Sequence, residues 1–326
     1  MKILVTGGAG FIGFHTCQEL IIQGHEVVIF DDMSTGKRQN LDDLGVDSGL
    51  DDIDFIFGDA TVDSPQLAHA MEGVDAIMHL AAKVSVRDSI ESPRVTSATN
   101  LQAFINIVDL ARLRGIRRVV YASSAAIYGD QPDNFFPHSS DADPKDPKNQ
   151  PLSPYGLDKL TNEAYADLFS RLYPVQTIGL RYFNVYGPRQ DPRSPYAGVI
   201  GKFISLALNG DTLSIFGDGE QLRNFIYVED VAKVNAAAVT GSFGFKDFQG
   251  VVNVAKVDGV VSINKLVRKL NRIIGKPISV AYQDAAAGEI KVSIPALENF
   301  ISLYPNSTDM KSLDDGLTEL VNFLKN

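Results

Sequence analysis

Lys2–Gly13, Lys-Ile-Leu-Val-Thr-Gly-Gly-Ala-Gly-Phe-Ile-Gly, is an apolar run of strand length that breaks into glycines and resumes as a helix. Ile3, Leu4 and Val5 read as a strand buried on both faces, and Phe14–Gln23 as the helix after it. Gly7, Gly10 and Gly13 lie between them at three-residue spacing. The first permits a tight turn, the second lets backbone approach a pyrophosphate, and the third lets helix pack closely on strand. Unpaired N–H groups at that helix start then face an anion. A glycine triplet alone would only close a turn, but Gly24 ends this helix and Glu26–Phe30 reads as a second strand. Asp31 follows about twenty residues after the glycines, where a carboxylate meets a ribose 2′-hydroxyl. Dinucleotide binding is the expectation, and NAD is favoured over NADP because a 2′-phosphate would meet the like charge of Asp31.

At 326 residues the chain has room for two lobes, or for one large domain with a cap. Hydrophobic residues at 44% are ordinary for a globular protein, and no stretch approaches a membrane span. The first strand begins at the N-terminus, which leaves no room for a signal peptide. Cys17 is the only cysteine, so neither an internal disulfide nor a cysteine metal cluster is expected, and a cytoplasmic enzyme without metal is the default. With 30 Lys and Arg against 40 Asp and Glu the net charge is −10, which argues against a nucleic-acid surface. An anionic small substrate would have to find its countercharge locally.

Downstream, strand and helix patterns alternate. Residues 32–38 form a polar turn and residues 42–54 an acidic stretch read as surface loop and short helix. Ile53–Phe57 is a third strand, closed by Gly58-Asp59-Ala60. The Asp59 carboxylate accepts from an adenine amino group, or else caps the helix after Ser64. Val74–Leu80 is a fourth strand that runs into Ala81 and Ala82, small enough for a cofactor to lie against backbone. His79 stands at its ligand-binding edge, although one histidine in an apolar run is more often structural. The spacing of Leu101, Ile105, Val108 and Leu110 predicts a helix over Asn100–Arg114, stopped by Gly115, with Asn100 capping it or tying neighbouring loops. Arg117–Ala122 is a fifth strand. The expected fold is α/β, a Rossmann-type doubly wound parallel sheet over residues 1–180. A smaller C-terminal substrate-binding α/β lobe takes residues 181–326, with the chain able to cross back to the first.

The fifth strand runs into Ser123-Ser124-Ala125-Ala126-Ile127-Tyr128-Gly129, and Tyr155-Gly-Leu-Asp-Lys159 follows after Ser153-Pro154. Proline at a helix start and helix formers through Arg171 put Tyr155 and Lys159 one turn apart on one face. An ammonium about 4 Å from a phenol is worth about 4 kcal/mol at an effective dielectric near 20. That lowers a tyrosine pKa from about 10 by roughly three pH units, and the phenol becomes a base near neutral pH. A nicotinamide cation pushes the same way. An isolated YxxxK is usually an exposed tyrosine with a solvated lysine; the nicotinamide fold upstream and the serine at the strand end decide for acid–base chemistry.

The segments TGGAGFIG, FDD, GDA, HLAA, YASSAAIYG, YGLDK, LRYFNVYGPRQ and RNFIYVEDV span nearly the whole chain. Through them the chain resembles the extended short-chain dehydrogenase/reductases, and specifically the epimerases that invert C4 of UDP-hexoses such as UDP-glucose and UDP-N-acetylglucosamine. The resemblance implies NAD held by Gly7, Gly10, Phe11, Ile12, Gly13, Asp31, Asp32, Asp59, Ala60, Leu80, Ala81, Ala82, Asn100, Tyr155, Lys159 and Tyr182. It implies Ser124 as hydrogen-bond partner of the substrate 4-hydroxyl, Tyr155 as base, and Lys159 as its electrostatic partner and ribose anchor. Substrate contacts are implied at Ser85, Ser124, Tyr155, Asn184, Val199, Arg223, Glu289 and Ser293. Related 4,6-dehydratases carry an acidic pair after the strand-end hydroxyl residue and decarboxylases a glutamate; here Ala125 and Ala126 stand there. Water elimination needs an acid and a base, so without those carboxylates hydride return, and hence epimerisation, is the expected fate of a 4-keto intermediate. The alternatives are dehydratase, decarboxylase or reductase chemistry, or a non-catalytic NAD-binding protein.

Residues 131–154 form a Pro-rich stretch without periodicity. Thr177–Tyr182 reads as a sixth strand, Tyr196–Leu208 as a helix, Leu213–Phe216 and Asn224–Tyr227 as short strands, and Leu313–Leu324 as the closing helix. By resemblance Tyr182 and Phe183 flank the nicotinamide, though strand aromatics are as often core. By the same resemblance Arg223, just before its strand, is expected to hold the diphosphate bidentately, the alternative being a surface arginine. The family's second diphosphate arginine would fall at Ala286, with Arg189, Arg193 and Lys291 as replacements. Glu289 matches an acid that contacts ribose hydroxyls. Ser293 lies where a large aromatic would leave room only for a C2 hydroxyl, so serine is expected to admit N-acetyl. A homodimer through the helices over residues 100–114 and 155–171 is implied by the family alone.

Overall fold

β1 (Lys2–Thr6) sends Ile3 and Val5 to one side of a sheet and Leu4 to the other, and all three are wholly buried. An uninterrupted apolar run is what a strand covered on both faces requires. The structure, a computed structural model, describes residues 1–46, 53–129, 150–192, 198–285 and 290–325. Glu289, Ala286, Arg193, the predicted helix start at Tyr196, and most of the stretch over 131–154 lie outside the described residues.

The remaining strands are β2 (Glu26–Asp31), β3 (Ile53–Phe57), β4 (Ala76–His79), β5 (Arg118–Ser124) and β6 (Gln176–Tyr182). There follow β7 (Asn184–Tyr186), β8 (Leu213–Phe216), β9 (Leu222–Tyr227), β10 (Gly250–Val254), β11 (Val260–Ser262), β12 (Val280–Gln283) and β13 (Val292–Ser293). Seven of the described strands form a parallel sheet in the order β10-β6-β5-β4-β1-β2-β3. The order reverses between β1 and β4, and a doubly wound sheet opens its ligand crevice at such a point. The helices Phe11–Ile22 and Val228–Thr240 cover one face, joined by a hydrogen bond from Asn235 Nδ2 to Thr16 Oγ1 of 2.9 Å. The helices Ala103–Arg114 and Pro154–Leu172 cover the other, over Phe104, Ile107 and Val108. The chain returns to this sheet after leaving it, since β10 pairs with β6 and supplies the edge strand.

A second sheet carries β11, β9 and β13, with β7 also on β9, and β12 pairs with β8. The helices Val199–Asn209, Ile263–Ile274 and Leu313–Lys325 pack around these strands in one cluster.

Of the boundaries that differ from the sequence reading, three bear on the site. The first helix starts at Phe11, not Phe14, because extended Gly10 is its N-cap and Gly13 lies within its first turn. Residues Ala98–Gln102 form a π-helical turn, and the α-helix begins only at Ala103. Ile105, Val108 and Leu110 all lie beyond that turn in the regular helix, so their spacing does not reveal it. Arg223 lies inside β9 rather than before it, paired with Val261 on one side and Ser293 on the other.

Candidate active site

The glycine loop acts as its spacing requires. Gly7 has φ +73, and a Cβ there would come within 2.7 Å of Ala81 N. At Gly13 a Cβ would overlap the Gly7 carbonyl oxygen, whereas at Gly10 it would meet only that oxygen, at 3.2 Å. Asp31 closes β2, its Oδ2 accepting from Ala9 N at 3.0 Å and its Oδ1 from Met33 N at 2.8 Å. Burial raises its carboxyl above the usual range while those two N–H groups oppose the rise. Asp59 Oδ1 accepts from Thr61 N at 2.8 Å, and the helix after Ser64 is capped by Ser64 itself, which leaves no capping role for Asp59.

All the cofactor residues expected from the sequence, Asn100 excepted, line one cavity of about 390 Å³ over the switch point. Asn100 is buried behind it in the π-helical turn. Its side chain accepts from Lys83 N at 2.9 Å, donates to Lys83 O at 3.1 Å and reaches Asp158 Oδ2 at 3.4 Å. The tying role is the one found. His79 is neutral, pushed down to about 3 by burial and then by Lys159, and pairs with Thr6 Oγ1 at 2.7 Å. It supports the sheet and is absent from the cavity wall.

Ser124 ends β5, and its Oγ accepts from Ala126 N at 3.1 Å. Ser153 caps the next helix by accepting from Gly156 N, with Pro154 in the first turn. This start sets Tyr155 and Lys159 one turn apart and both almost fully buried. The Ser124 hydroxyl acts on the Tyr155 phenol in the direction that lowers its pKa. Lys159 Nζ donates to Ala122 O at 2.8 Å and lies 5.9 Å from the centre of the Tyr155 ring. Ser124, Tyr155 and Lys159 thus line the same cavity as the glycine loop.

The electrostatics correct the expectation drawn from spacing. Burial holds the Tyr155 phenol above its ordinary value, against the opposing Ser124 hydroxyl, and pushes Lys159 down to about 8, against Asp158 and Glu163. Desolvation of a phenolate outweighs an ammonium that points at a backbone carbonyl.

Of the substrate residues, Ser85 lines the cavity and caps the helix Val86–Glu91 by accepting from Asp88 N at 2.9 Å. Asn184, Arg223 and Ser293 do not line it; they come together on the second sheet, where β9 pairs with both β7 and β13. Asn184 Nδ2 donates to Asn224 O at 2.9 Å and Arg223 Nη1 to Leu222 O at 2.9 Å, while Val199 opens its helix. Arg189 does not replace the missing diphosphate arginine. Its guanidinium lies 3.7 Å over the Phe14 ring and donates to Asn40 Oδ1 at 2.9 Å and to Asp43.

Sequence reasoning missed a buried network behind the site. Glu163, one turn beyond Lys159, takes Arg181 in a two-pronged ion pair of 2.8 and 2.6 Å, both side chains fully buried. Ser123 Oγ also donates to Glu163, and Arg181 Nη1 to Tyr128 OH at 2.8 Å. Ser123 and Arg181 directly precede Ser124 and Tyr182, so the network locks two strand ends to the helix that bears Tyr155. An acid four residues after the lysine was the available signal.

A doubly wound sheet with a glycine loop at its switch point and a serine, a tyrosine and a lysine beside it defines a nucleotide-dependent short-chain oxidoreductase scaffold. Residues 3–255 match the NAD dependent epimerase/dehydratase family, and the chain belongs to it. A putative UDP-glucose 4-epimerase of Methanocaldococcus jannaschii is 36% identical over 99% of this chain and 98% of its own length. A solved UDP-N-acetylglucosamine 4-epimerase from Methanobrevibacter ruminantium, in complex with UDP-N-acetylmuramic acid, is 35% identical over 99% of this chain and 98% of its own, with a TM-score of 0.86. A UDP-glucuronic acid 4-epimerase from Bacillus cereus with UDP-glucuronic acid and NAD is 28% identical over 100% of this chain and 99% of its own, with a TM-score of 0.87. The residues fit the dinucleotide of the family name: Gly7 and Gly13 leave no room for a Cβ against Ala81 and the Gly7 carbonyl, a Cβ at Gly10 would meet only that carbonyl oxygen, at 3.2 Å, and Asp31 ends the second strand.

Proposed function

We propose that this chain is an NAD-dependent UDP-hexose 4-epimerase acting on UDP-glucose/UDP-galactose and on UDP-N-acetylglucosamine/UDP-N-acetylgalactosamine. The observation that carries the reading is the Ser124–Tyr155–Lys159 cluster on the glycine-loop cavity, with Ala125 and Ala126 in place of carboxylates. Tyr155 removes the O4 proton, Ser124 orients that hydroxyl, and Lys159 favours the phenolate and anchors a ribose. NAD held along Gly7, Gly10, Gly13 and Asp31 would supply the hydride acceptor and donor for C4. Arg223, Asn184, Val199 and Glu289 hold the UDP portion while the keto sugar turns about its diphosphate. The segment before residue 181, with the helix Val228–Thr240 and the strand Gly250–Val254 that return to its sheet, forms the cofactor lobe, and most of the remaining C-terminal chain forms the substrate lobe.

Assays of UDP-Glc, UDP-GlcNAc and UDP-glucuronate with NAD supplied should give C4 epimers with no net NADH. NADH released in proportion to turnover would contradict epimerisation, and loss of water or CO₂ would favour a dehydratase or a decarboxylase. Ser293, buried beside Arg223 in the strand register, supports acceptance of an N-acetyl group. Ser293→Tyr is expected to lower kcat/KM for UDP-GlcNAc by about a hundredfold with little change for UDP-Glc, as overpacking of a filled pocket would do. Equal activity of that variant on both sugars would remove the steric reading.

Among the described residues no helix is long and apolar enough to cross a membrane, which supports a cytoplasmic enzyme. Exposed Leu113, Leu157, Leu168 and Leu172 lie on the two helices expected to pair. They support a homodimer, and a monomer mass by sedimentation would refute it.

A further inference from the structure

Arg189 has φ +71, a left-handed backbone in a residue with a long side chain. Such a conformation is strained and persists only where surrounding contacts over-determine it. Those contacts reach from the segment after β7 to the helix Phe11–Ile22 and to the segment after β2, where Lys37 and Asn40 line the cavity. His15 Nε2 donates to Pro188 O at 3.1 Å, burial keeping the ring neutral. The Arg189 guanidinium covers Phe14 and binds Asn40 and Asp43. Asp191 faces Lys37 Nζ at 3.7 Å. Asn40 in turn donates to Ala9 O at 2.7 Å, inside the glycine loop, and Lys37 N reaches the same oxygen at 3.1 Å. A continuous chain of contacts therefore runs from Arg189 through Asn40 to the loop expected to face the pyrophosphate. Lys37, Asn40, Arg189, Gln190 and Asp191 all line the cavity.

We propose that residues 187–191 are a clasp over the adenylate half of the dinucleotide, with Arg189 as the positioning residue that keeps NAD bound while sugars come and go. The anchors follow β1 and β2, whereas Ser124 ends β5, two strands away from β1 in the sheet order. Substrate therefore exchanges at one end of the cleft while the other stays fastened. Retention suits an epimerase, because each hydride must return to the sugar it came from. The inference rests on the reading of the cavity as an NAD site.

The test is the rate at which bound NAD leaves the purified full-length chain into an excess of isotopically labelled NAD, read by native mass spectrometry. Arg189→Met should release NAD about tenfold faster, the scale of one partly buried charged contact. Release from the unaltered chain should quicken as salt screens the Arg189–Asp43 pair, and from Arg189→Met it should not. Arg189→Gly, which relieves the backbone but lacks the guanidinium, should release NAD as fast as Arg189→Met. Asp43→Asn, at an exposed position, should give a smaller increase and serves if an Arg189 variant fails to fold. Unchanged release from Arg189→Met, or from Asp43→Asn where that one stands in, overturns the clasp alone. An unaltered chain that binds no NAD overturns both the clasp and the site.

Discussion

Tyr155→Phe is expected to lower kcat by about a thousandfold, within the range for loss of a positioned acid or base, while the variant still holds NAD and nucleotide sugar. Phenylalanine keeps the buried ring and loses only the hydroxyl on which Ser124 acts. Because burial holds the free phenol above its ordinary value, it is protonated in the unliganded chain, and its ionisation depends on cations gathered at the site. Lys159 is one, and it releases its own proton near pH 8. The sign follows: below that pH the ammonium is present to favour the phenolate, and above it that help is lost. The rate should therefore decline as pH rises through about 8, and the small residual rate of Tyr155→Phe should lack that decline. Steady-state rates from pH 6 to 10, with NAD content measured on the same samples, check both statements. A Tyr155→Phe enzyme within tenfold of the unaltered one would remove the proposed base.

Glu163→Gln is expected to destabilise the fold by about 3–5 kcal/mol, the cost of stranding one charge of a buried pair. Arg181 has no exposed surface through which to find water. For a chain of this size that is a fall in Tm of about 4–7 °C. The double variant Glu163→Leu/Arg181→Met removes both charges and should recover much of the loss, since well-packed apolar replacements of buried pairs are often neutral. Calorimetry of the three proteins decides. A single variant that melts with the unaltered chain would show that the pair carries no structural load.

These two predictions differ in how far the sequence discloses them. Tyr155 and Lys159 are adjacent on a helix, and Gly7, Gly10 and Gly13 act within one turn, so spacing alone revealed their grouping. Strand patterns such as Ile53–Phe57 and Leu213–Phe216 were readable for the same local reason. The charge state of Tyr155 was not, because spacing says nothing about burial or about Lys159 turning to Ala122 O. Nor was the Glu163–Arg181 pair, whose partners belong to different elements and meet only after the sheet forms. The π-helical turn at Ala98–Gln102 escaped because most of the apolar residues that carried the helical spacing lie after it, and Asn100, within it, is absent from the cavity lining. Arg189 looked like a spare cation, and only the tertiary contacts to Asn40 and Phe14 give it a place.

The edge strand at Gly250–Val254 has a consequence for how the molecule is made. A nascent polypeptide leaving the ribosome carries six strands of the large sheet by residue 182, yet Ile178, Leu180 and Tyr182 lack their outer neighbour until Val254 emerges. Until then β6 is an open template for foreign backbone. Expression fragments that stop near residue 181 should accumulate as aggregates, and those extended past Val254 should stay dispersed.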